Sequence, residues 1–303
     1  MSRPARRLQL VAVAVGLLAL APGCSSSAGG GSGPQVVAAE NFWGSIASQL
    51  AGPKAHVSSI ITNPAVDPHS YEPTAADART LATAQLVIVN GLGYDPWVPK
   101  LLAANPVSGR IVLNIGDLFG LTEGDNPHRW YDPTEVENVG HEITADLIRL
   151  DPKHGGYFRQ QLASFNARGL AAYHGLIASI RARYGGVPVG ASESIFALQA
   201  PALGLNLITP YGFMKATSEG TDPTAQDIAA IEKQISTRAI KVWIYNSQNA
   251  TPQIQRFNAL AHAHGIPITT ITETLFPASN SFEQWQISQL QRLERALRQA
   301  TGR

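Results

Sequence analysis

Two short segments of the chain carry nearly the same pattern of residues. The first reads Asp67-Pro68-His69-Ser70-Tyr71-Glu72-Pro73-Thr74, and the second reads Asn126-Pro127-His128-Arg129-Trp130-Tyr131-Asp132-Pro133-Thr134. In each, a histidine directly follows a proline and precedes an aromatic residue, an acidic residue, a proline and a threonine. Because proline fixes its own φ and disfavours the α region for the residue before it, each histidine should sit in a stiff loop. Such a loop is suited to presenting an imidazole to a metal ion.

The second half of each segment predicts the start of a helix. Asp132 can cap that helix, Pro133 suits its first position, and Glu135 stands where a capping box has a carboxylate. Glu72 and Asp132 are predicted to be helix caps, or to accept a hydrogen bond that orients an imidazole. Two matching histidine loops indicate a metal site much more strongly than a single loop would.

The two segments resemble the D-P-H-x-aromatic-E-P and N-P-H-x-W-x-D-P signatures of the zinc/manganese solute-binding proteins of ABC importers. The resemblance extends from about Val36 to the C-terminus. It implies two similar α/β lobes, each a parallel sheet flanked by helices, joined by one long, rigid backbone helix. It also implies one metal site, to which His69 and His128 each contribute a ligand.

The same resemblance implies two further ligands. Glu193 lies in S-E-S-I-F at 192–196, which is similar to the family's S-[HE]-x-A-F motif. Glu273 lies in T-E-T-L at 272–275, where the family usually has an aspartate. From the residues alone, Glu193 could instead cap the helix that follows it, and Glu273 could be a solvated loop acid.

The positions of these acids agree with a general property of open α/β sheets, in which ligands bind beyond the carboxyl ends of the strands. Glu193 follows the predicted strand 187–191, and Glu273 follows the predicted strand 266–271. Asn246 ends another strand and is predicted to donate a hydrogen bond to a metal ligand. Two neutral imidazoles and two carboxylates would balance the charge of a divalent cation, which a closed cleft requires.

This set of nitrogen and oxygen ligands suits Mn²⁺ or Zn²⁺, with Fe²⁺ as a further candidate, and does not suit copper(I). Zinc members of the family often carry a histidine-rich loop before the second histidine segment. Here that stretch reads Leu121-Thr122-Glu123-Gly124-Asp125, which favours manganese. The Irving–Williams order nevertheless predicts tighter zinc binding in vitro.

The predicted function is capture of manganese or zinc outside the membrane and delivery to an ABC permease with its ATPase. We expect a monomer that is not an enzyme. One alternative is a zinc-dependent hydrolase, but four protein ligands would leave no open position for water, and the sequence contains no H-E-x-x-H motif. The other alternative is a surface adhesin with incidental metal binding.

The N-terminus predicts export. Residues 1–23 combine a basic start with an apolar run shorter than the roughly 20 residues of a membrane span, and are predicted to be a lipoprotein signal peptide. Gly23-Cys24 resembles a lipobox, although Ala21-Pro22 departs from it. Cys24 is therefore the predicted lipid attachment point, and residues 24–34 a flexible tether. The predicted location is extracytoplasmic, anchored to the cell membrane on its periplasmic side or at the cell surface. A plain secretory signal is the alternative.

Composition restricts the other function classes. The 303 residues are 44% hydrophobic and 15% charged, which is typical of a globular chain with room for two domains. A net charge of +1 argues against a nucleic-acid partner, because there is no basic surplus to neutralise phosphates. The single cysteine excludes both an intramolecular disulfide and a cysteine-based zinc site.

Short apolar runs alternate with helical patterns along the chain, which predicts parallel sheets flanked by helices. We expect an N-terminal lobe over 35–150, a linking helix over 151–185 and a C-terminal lobe over 186–303. The predicted strands are 36–39, 57–62, 86–90, 111–115, 187–191, 206–209, 240–245 and 266–271. The predicted helices are 42–50, 75–84, 133–150, 156–184, 224–235, 252–264 and 281–300.

The linking helix is predicted from one apolar stripe over residues 156–184. Its members are Phe158, Leu162, Phe165, Ala172, Leu176 and Ile180. Two ordinary helices with a break at Gly169 or Gly175 are the alternative.

Overall fold

The computed structural model describes residues 33–303, so the signal peptide, Cys24 and most of the tether lie outside the described residues. The first lobe contains one parallel four-stranded sheet with the order β2-β1-β3-β4. Its strands are β1 (Gln35–Glu40), β2 (His56–Ile61), β3 (Leu86–Val89) and β4 (Ile111–Asn114). All four were predicted, with bounds that differ by one residue.

The second lobe repeats this topology. Its strands are β5 (Pro188–Ala191), β6 (Asn206–Leu207), β7 (Val242–Asn246) and β8 (Ile268–Ile271), in the parallel order β6-β5-β7-β8. In each lobe the first strand lies second in the sheet and the later pair follows it. The prediction of two similar α/β lobes with parallel sheets is therefore confirmed.

Five helices flank the first sheet: α1 (Asn41–Ala51), α2 (Ala75–Thr83), α3 (Trp97–Ala104), α4 (Ile115–Leu118) and α5 (Pro133–Leu150). Helix α5 has the predicted bounds, and the Asp132 side chain caps it by accepting the backbone N–H groups of Thr134 and Glu135. The capping box expected at Glu135 does not form, because the Glu135 carboxylate pairs with Arg129 instead.

The two lobes are joined by a long connecting helix, as predicted. It comprises α6 (Gly155–Ser164), a π-helical turn over Phe165–Gly169 and α7 (Ala171–Tyr184). Gly175 lies inside α7, and Gly169 ends the π-helical turn, after which Leu170 keeps right-handed helical dihedrals. Helix α6 packs against α1 and α5 of the first lobe, whereas α7 packs against α12 (Phe282–Thr301) of the second.

Beyond Phe165, the predicted apolar stripe of this helix is confirmed at Ile180 and wrong at Ala172 and Leu176. Ala172 is exposed and Leu176 is half-buried, whereas Tyr173 and Ile177 are buried in their place. The π-helical turn contains one more residue than an α-helical turn. The buried positions 173 and 177 therefore fall one residue later than the predicted positions 172 and 176.

Helices α8 (Ile195–Gln199), α9 (Tyr211–Ser218), α10 (Ala225–Ser236) and α11 (Pro252–Ala263) complete the second lobe with α12. No helix within residues 33–303 has both the length and the apolar character needed to cross a membrane. The main apolar core contains residues of both lobes and of the connecting helix, from Val36 to Leu297. The two lobes therefore share one packed interior.

Candidate metal centre

His69 lies in a short 3₁₀ turn, Pro68–Ser70, between β2 and α2. The Asp67 carboxylate caps this turn by accepting the His69 backbone N–H at 2.9 Å and the Ser70 hydroxyl at 3.1 Å. The Nδ1 atom of His69 is 3.3 Å from the carbonyl oxygen of Gly93, which assigns the proton to Nδ1. Nε2 is therefore a lone-pair donor, and it is buried without a hydrogen-bond partner among the described residues.

His128 is held in a similar way just before α5. The Asn126 side-chain oxygen accepts from the His128 backbone N–H at 3.1 Å and lies 2.8 Å from Nδ1. Nε2 is again buried with no partner in the described part of the chain. Burial, together with the electrostatic effects of His69 and Arg129, lowers the pKa of His128 well below 6.5. The imidazole is thus held in its neutral, metal-binding form.

Glu273 approaches these imidazoles from the second lobe. It lies two residues beyond β8 and is 8% exposed. Its carboxylate accepts the Tyr94 hydroxyl at 3.2 Å and the Asn246 amide at 2.9 Å. One ligand atom from each of His69, His128 and Glu273 lies within 4.8 Å of the others. Zinc bonds of about 2.1 Å place ligand atoms roughly 3–4 Å apart, so this spacing fits one ion after a small contraction.

Glu193 lies beside this cluster. It follows β5 by two residues and is fully buried. Its Oε2 accepts from the Asn246 amide at 3.0 Å, and its Oε1 has no partner in residues 33–303. Glu193 is not among the three residues whose ligand atoms meet within 4.8 Å. The Asn246 amide links its carboxylate to that of Glu273, so the fourth predicted ligand adjoins the cluster with one oxygen free.

The two acids are strongly perturbed by their surroundings. Burial, aided by the negative charge of Asp67, raises the pKa of Glu273 to about 7. Burial and the charge of Glu273 also raise the pKa of Glu193 well above 4.5. The shared Asn246 amide holds the two carboxyl groups close to each other. A divalent cation would replace the protons that such a pair retains.

The residues that orient the ligands differ in part from those predicted. Asn246 donates to both carboxylates. Asp132 caps α5, and Glu72 is exposed. Within residues 33–303 neither of these two acids bonds to an imidazole; the Gly93 carbonyl and the Asn126 side chain do so instead. Gly93 has a φ of +77°, a backbone conformation that favours glycine.

The sequence contained a signal for one of the orienting residues that we missed. Asn126 stands two residues before His128, as Asp67 stands two residues before His69, and each side chain accepts the histidine backbone N–H. Tyr94 gave no comparable signal, because it contacts Glu273 across 179 residues of sequence. Its ring also packs edge-on against His69, with 4.7 Å between the ring centroids.

Known proteins resemble this chain in sequence and in fold. The metal ABC transporter substrate-binding lipoprotein FimA of Streptococcus parasanguinis is 29% identical over 52% of this chain and 54% of its own length. The manganese-binding lipoprotein MntA of Halalkalibacterium halodurans is 30% identical over 44% of this chain and 46% of its own length. The matches therefore span about half the length of these relatives.

A manganese-bound S38A mutant of a periplasmic metal binding protein from Candidatus Liberibacter asiaticus has the same fold. Its TM-score is 0.73 at 17% identity, and the match covers 86% of this chain and 98% of that structure. The family model described as "Zinc-uptake complex component A periplasmic" (ZnuA) matches residues 36–296. This match covers both lobes and every predicted ligand, and the chain belongs to the ZnuA family.

Proposed function

We propose that this protein is an extracytoplasmic solute-binding protein that captures a divalent transition metal between its lobes and delivers it to an ABC permease with its ATPase. One observation carries the proposal. The Nε2 atoms of His69 and His128, from the first lobe, have no hydrogen-bond partner within residues 33–303 and meet the Glu273 carboxylate of the second lobe. A buried polar atom without a partner is costly, and a metal ion would satisfy both nitrogens at once.

The ligand set is His69, His128, Glu193 and Glu273. In this arrangement the ion replaces its water ligands with side chains from both lobes and holds the lobes together. The free Oε1 of Glu193 is available once the carboxylate turns toward the ion. Two carboxylates then balance the charge of a divalent cation in a site from which water is largely excluded.

The cargo is Mn²⁺ or Zn²⁺, with Fe²⁺ compatible with the same ligands. Imidazole and carboxylate ligands suit all three ions. The relative from Halalkalibacterium halodurans is described as manganese-binding and one from Bacillus subtilis as a zinc uptake protein, so family membership does not select between the two. The absence of histidine from residues 121–125 supports manganese.

The rest of the chain serves delivery at a membrane. Cys24 carries the lipid that attaches the protein to the membrane surface, and residues 24–34 tether the lobes to it. The lobes comprise residues 35–150 and 186–303, joined by the linker 151–185, and the protein acts as a monomer. A binding role is favoured over a zinc-dependent hydrolase because the ligands from the two lobes enclose the ion and leave no position for a reacting water.

Metal content and competition test this proposal. Purified full-length protein should contain about one equivalent of manganese or zinc, measured by elemental analysis, and competition between the ions should rank them. His69→Ala should lose tight binding, whereas His262→Ala, which alters an exposed histidine of α11, should retain it. Equal binding by both variants would refute the assignment.

Two further outcomes are decisive. Glu193→Ala with unchanged stoichiometry and affinity would remove that residue from the ligand set. In cells, a His69→Ala variant that loses adhesion but retains normal metal uptake would favour the surface adhesin instead.

A further inference from the structure

Gln248 connects the two sides of the cleft at its mouth. It follows β7 in a turn in which its own backbone N–H donates to the Asn246 side-chain oxygen at 2.9 Å. Asn246 in turn donates to the carboxylates of Glu193 and Glu273. Gln248 therefore belongs to the same turn as Asn246, whose amide donates to both carboxylates.

The Gln248 side chain fixes the main chain around Glu273. Its Oε1 accepts the backbone N–H of Glu273 at 2.6 Å and that of Thr274 at 3.1 Å. Its Nε2 donates to the Thr274 hydroxyl at 2.8 Å. These three bonds hold the segment that carries Glu273, independently of the bonds made by the Glu273 carboxylate itself.

The same amide nitrogen also reaches the first lobe. Nε2 of Gln248 donates to the carbonyl oxygen of Pro64 at 2.7 Å, across 184 residues of sequence. Pro64 belongs to the loop formed by residues 63–67, which leads directly into the His69 turn. Residues 64–67 line a cavity of about 420 Å³ at the mouth of the cleft, together with His69, Gln248 and Glu273.

We infer that Gln248 is a positioning residue that couples the 63–67 loop to Glu273 and thereby slows release of the bound ion. This inference rests on the proposed function. An ion that holds Glu273 also steadies the main chain to which Gln248 is bonded. The Gln248 side chain holds the 63–67 loop of the opposite lobe beside the cavity. The hydrogen bond between Gln248 and this loop must therefore break before the ion can leave through the cavity.

Removing the amide should act on release more than on capture. Gln248→Ala deletes the bond to Pro64 together with the three bonds to Glu273 and Thr274, and water can reach the freed Pro64 carbonyl because Pro64 is only half-buried. The loss of about one net hydrogen bond from the closed form corresponds to roughly a five- to tenfold faster release rate. The association rate should change less than twofold, because the four ligands are unaltered.

The control is Gln234→Ala. Gln234 is also half-buried, and its amide donates to a backbone carbonyl, that of Ile208, at the same distance of 2.7 Å. This bond lies within the second lobe and away from the metal ligands. If losing any glutamine–carbonyl bond speeds manganese release, both variants should show the faster rate. If Gln248 positions the site, only Gln248→Ala should show it.

The experiment measures manganese release by stopped-flow mixing with excess chelator, using the wild type, Gln248→Ala, Gln248→Leu and Gln234→Ala as full-length proteins. Hydrogen exchange of residues 63–67 is followed with and without manganese. Bound manganese should protect this loop in the wild type and in the control but not in either Gln248 variant. Gln248→Leu keeps the side-chain volume but lacks the amide. An effect caused only by lost packing would therefore appear in Gln248→Ala and not in Gln248→Leu.

Each outcome distinguishes the inference from the function. Wild-type protein that does not bind manganese or zinc would refute the proposed function. If the wild type binds and both Gln248 variants release manganese at the wild-type rate with the wild-type loop protection, the function stands and the role of Gln248 is refuted.

Discussion

Glu273→Gln should make the metal-free protein more stable at neutral pH while removing a metal ligand. The pKa of Glu273 is raised from the ordinary value of 4.5 to about 7, chiefly by burial. Between these values the folded protein binds more protons at this site than the unfolded chain does. The free energy of unfolding therefore falls as the pH rises from about 4.5 through 7. Glutamine resembles the protonated acid and has no such dependence.

The size of the effect follows from the two pKa values. The interval from 4.5 to about 7 corresponds to on the order of 3 kcal/mol between pH 5 and pH 8. The raised pKa of Glu193 acts in the same direction, and loss of the Glu273 charge relieves it. The lowered pKa of His128 acts in the opposite direction below pH 6.5, but it is common to both proteins. Subtracting the wild-type stability curve from that of Glu273→Gln therefore removes the contribution of His128.

The assay is urea unfolding in the presence of a chelator at pH 5, 6, 7 and 8, followed by tryptophan fluorescence. The stability of Glu273→Gln relative to the wild type should increase by about 3 kcal/mol from pH 5 to pH 8. Glu72→Gln, which alters an exposed acid near the same cleft, should give a curve parallel to that of the wild type. Parallel curves for all three proteins would refute the reasoning that burial keeps Glu273 protonated in the metal-free fold.

Four other outcomes are expected. Asn126→Ala, which frees the His128 ring, should weaken manganese binding by about 10- to 100-fold in calorimetry. Asp132→Ala should lower the free energy of unfolding by about 1 kcal/mol through loss of the α5 cap, with unchanged metal stoichiometry in elemental analysis. Metal affinity should fall by about tenfold for each pH unit below 7, because the ion displaces the proton of Glu273; titrations at pH 5, 6 and 7 check this. Manganese at 100 times its Kd should raise the free energy of unfolding of the wild type by about 2.7 kcal/mol in the same urea assay.

Much of the fold could be predicted because its signals are local. Each apolar run that predicted a strand forms one, and α5 begins at the residue where the Asp132–Pro133 pair predicts. Helix α3 was missed because Pro99 interrupts the helical pattern, although proline is tolerated in the first turn, where it stands. Helix α9 was missed because it is short and carries Gly212 near its start.

The site was only partly predictable because most of its support comes from distant parts of the chain. His69 and His128 were visible as a repeated motif. Asn246, which donates to Glu273, was predicted from its place at a strand end. Tyr94 and Gln248, which also hold Glu273, follow no motif. Gln248 also contacts Pro64, which lies 184 residues earlier in the chain. A contact between positions so far apart is decided by how the two lobes pack, which no local pattern records.

The π-helical turn at Phe165–Gly169 keeps the apolar positions of the connecting helix in line with one another. One residue advances an α-helix by about 100° around its axis, so an extra residue in a regular α-helix would turn all later positions by more than a quarter of a revolution. The wider π turn absorbs that residue, and Phe158 of α6 and Tyr173 and Ile177 of α7 are all buried. A further residue inserted after this turn would rotate Tyr173 and Ile177 away from the interior that both lobes share.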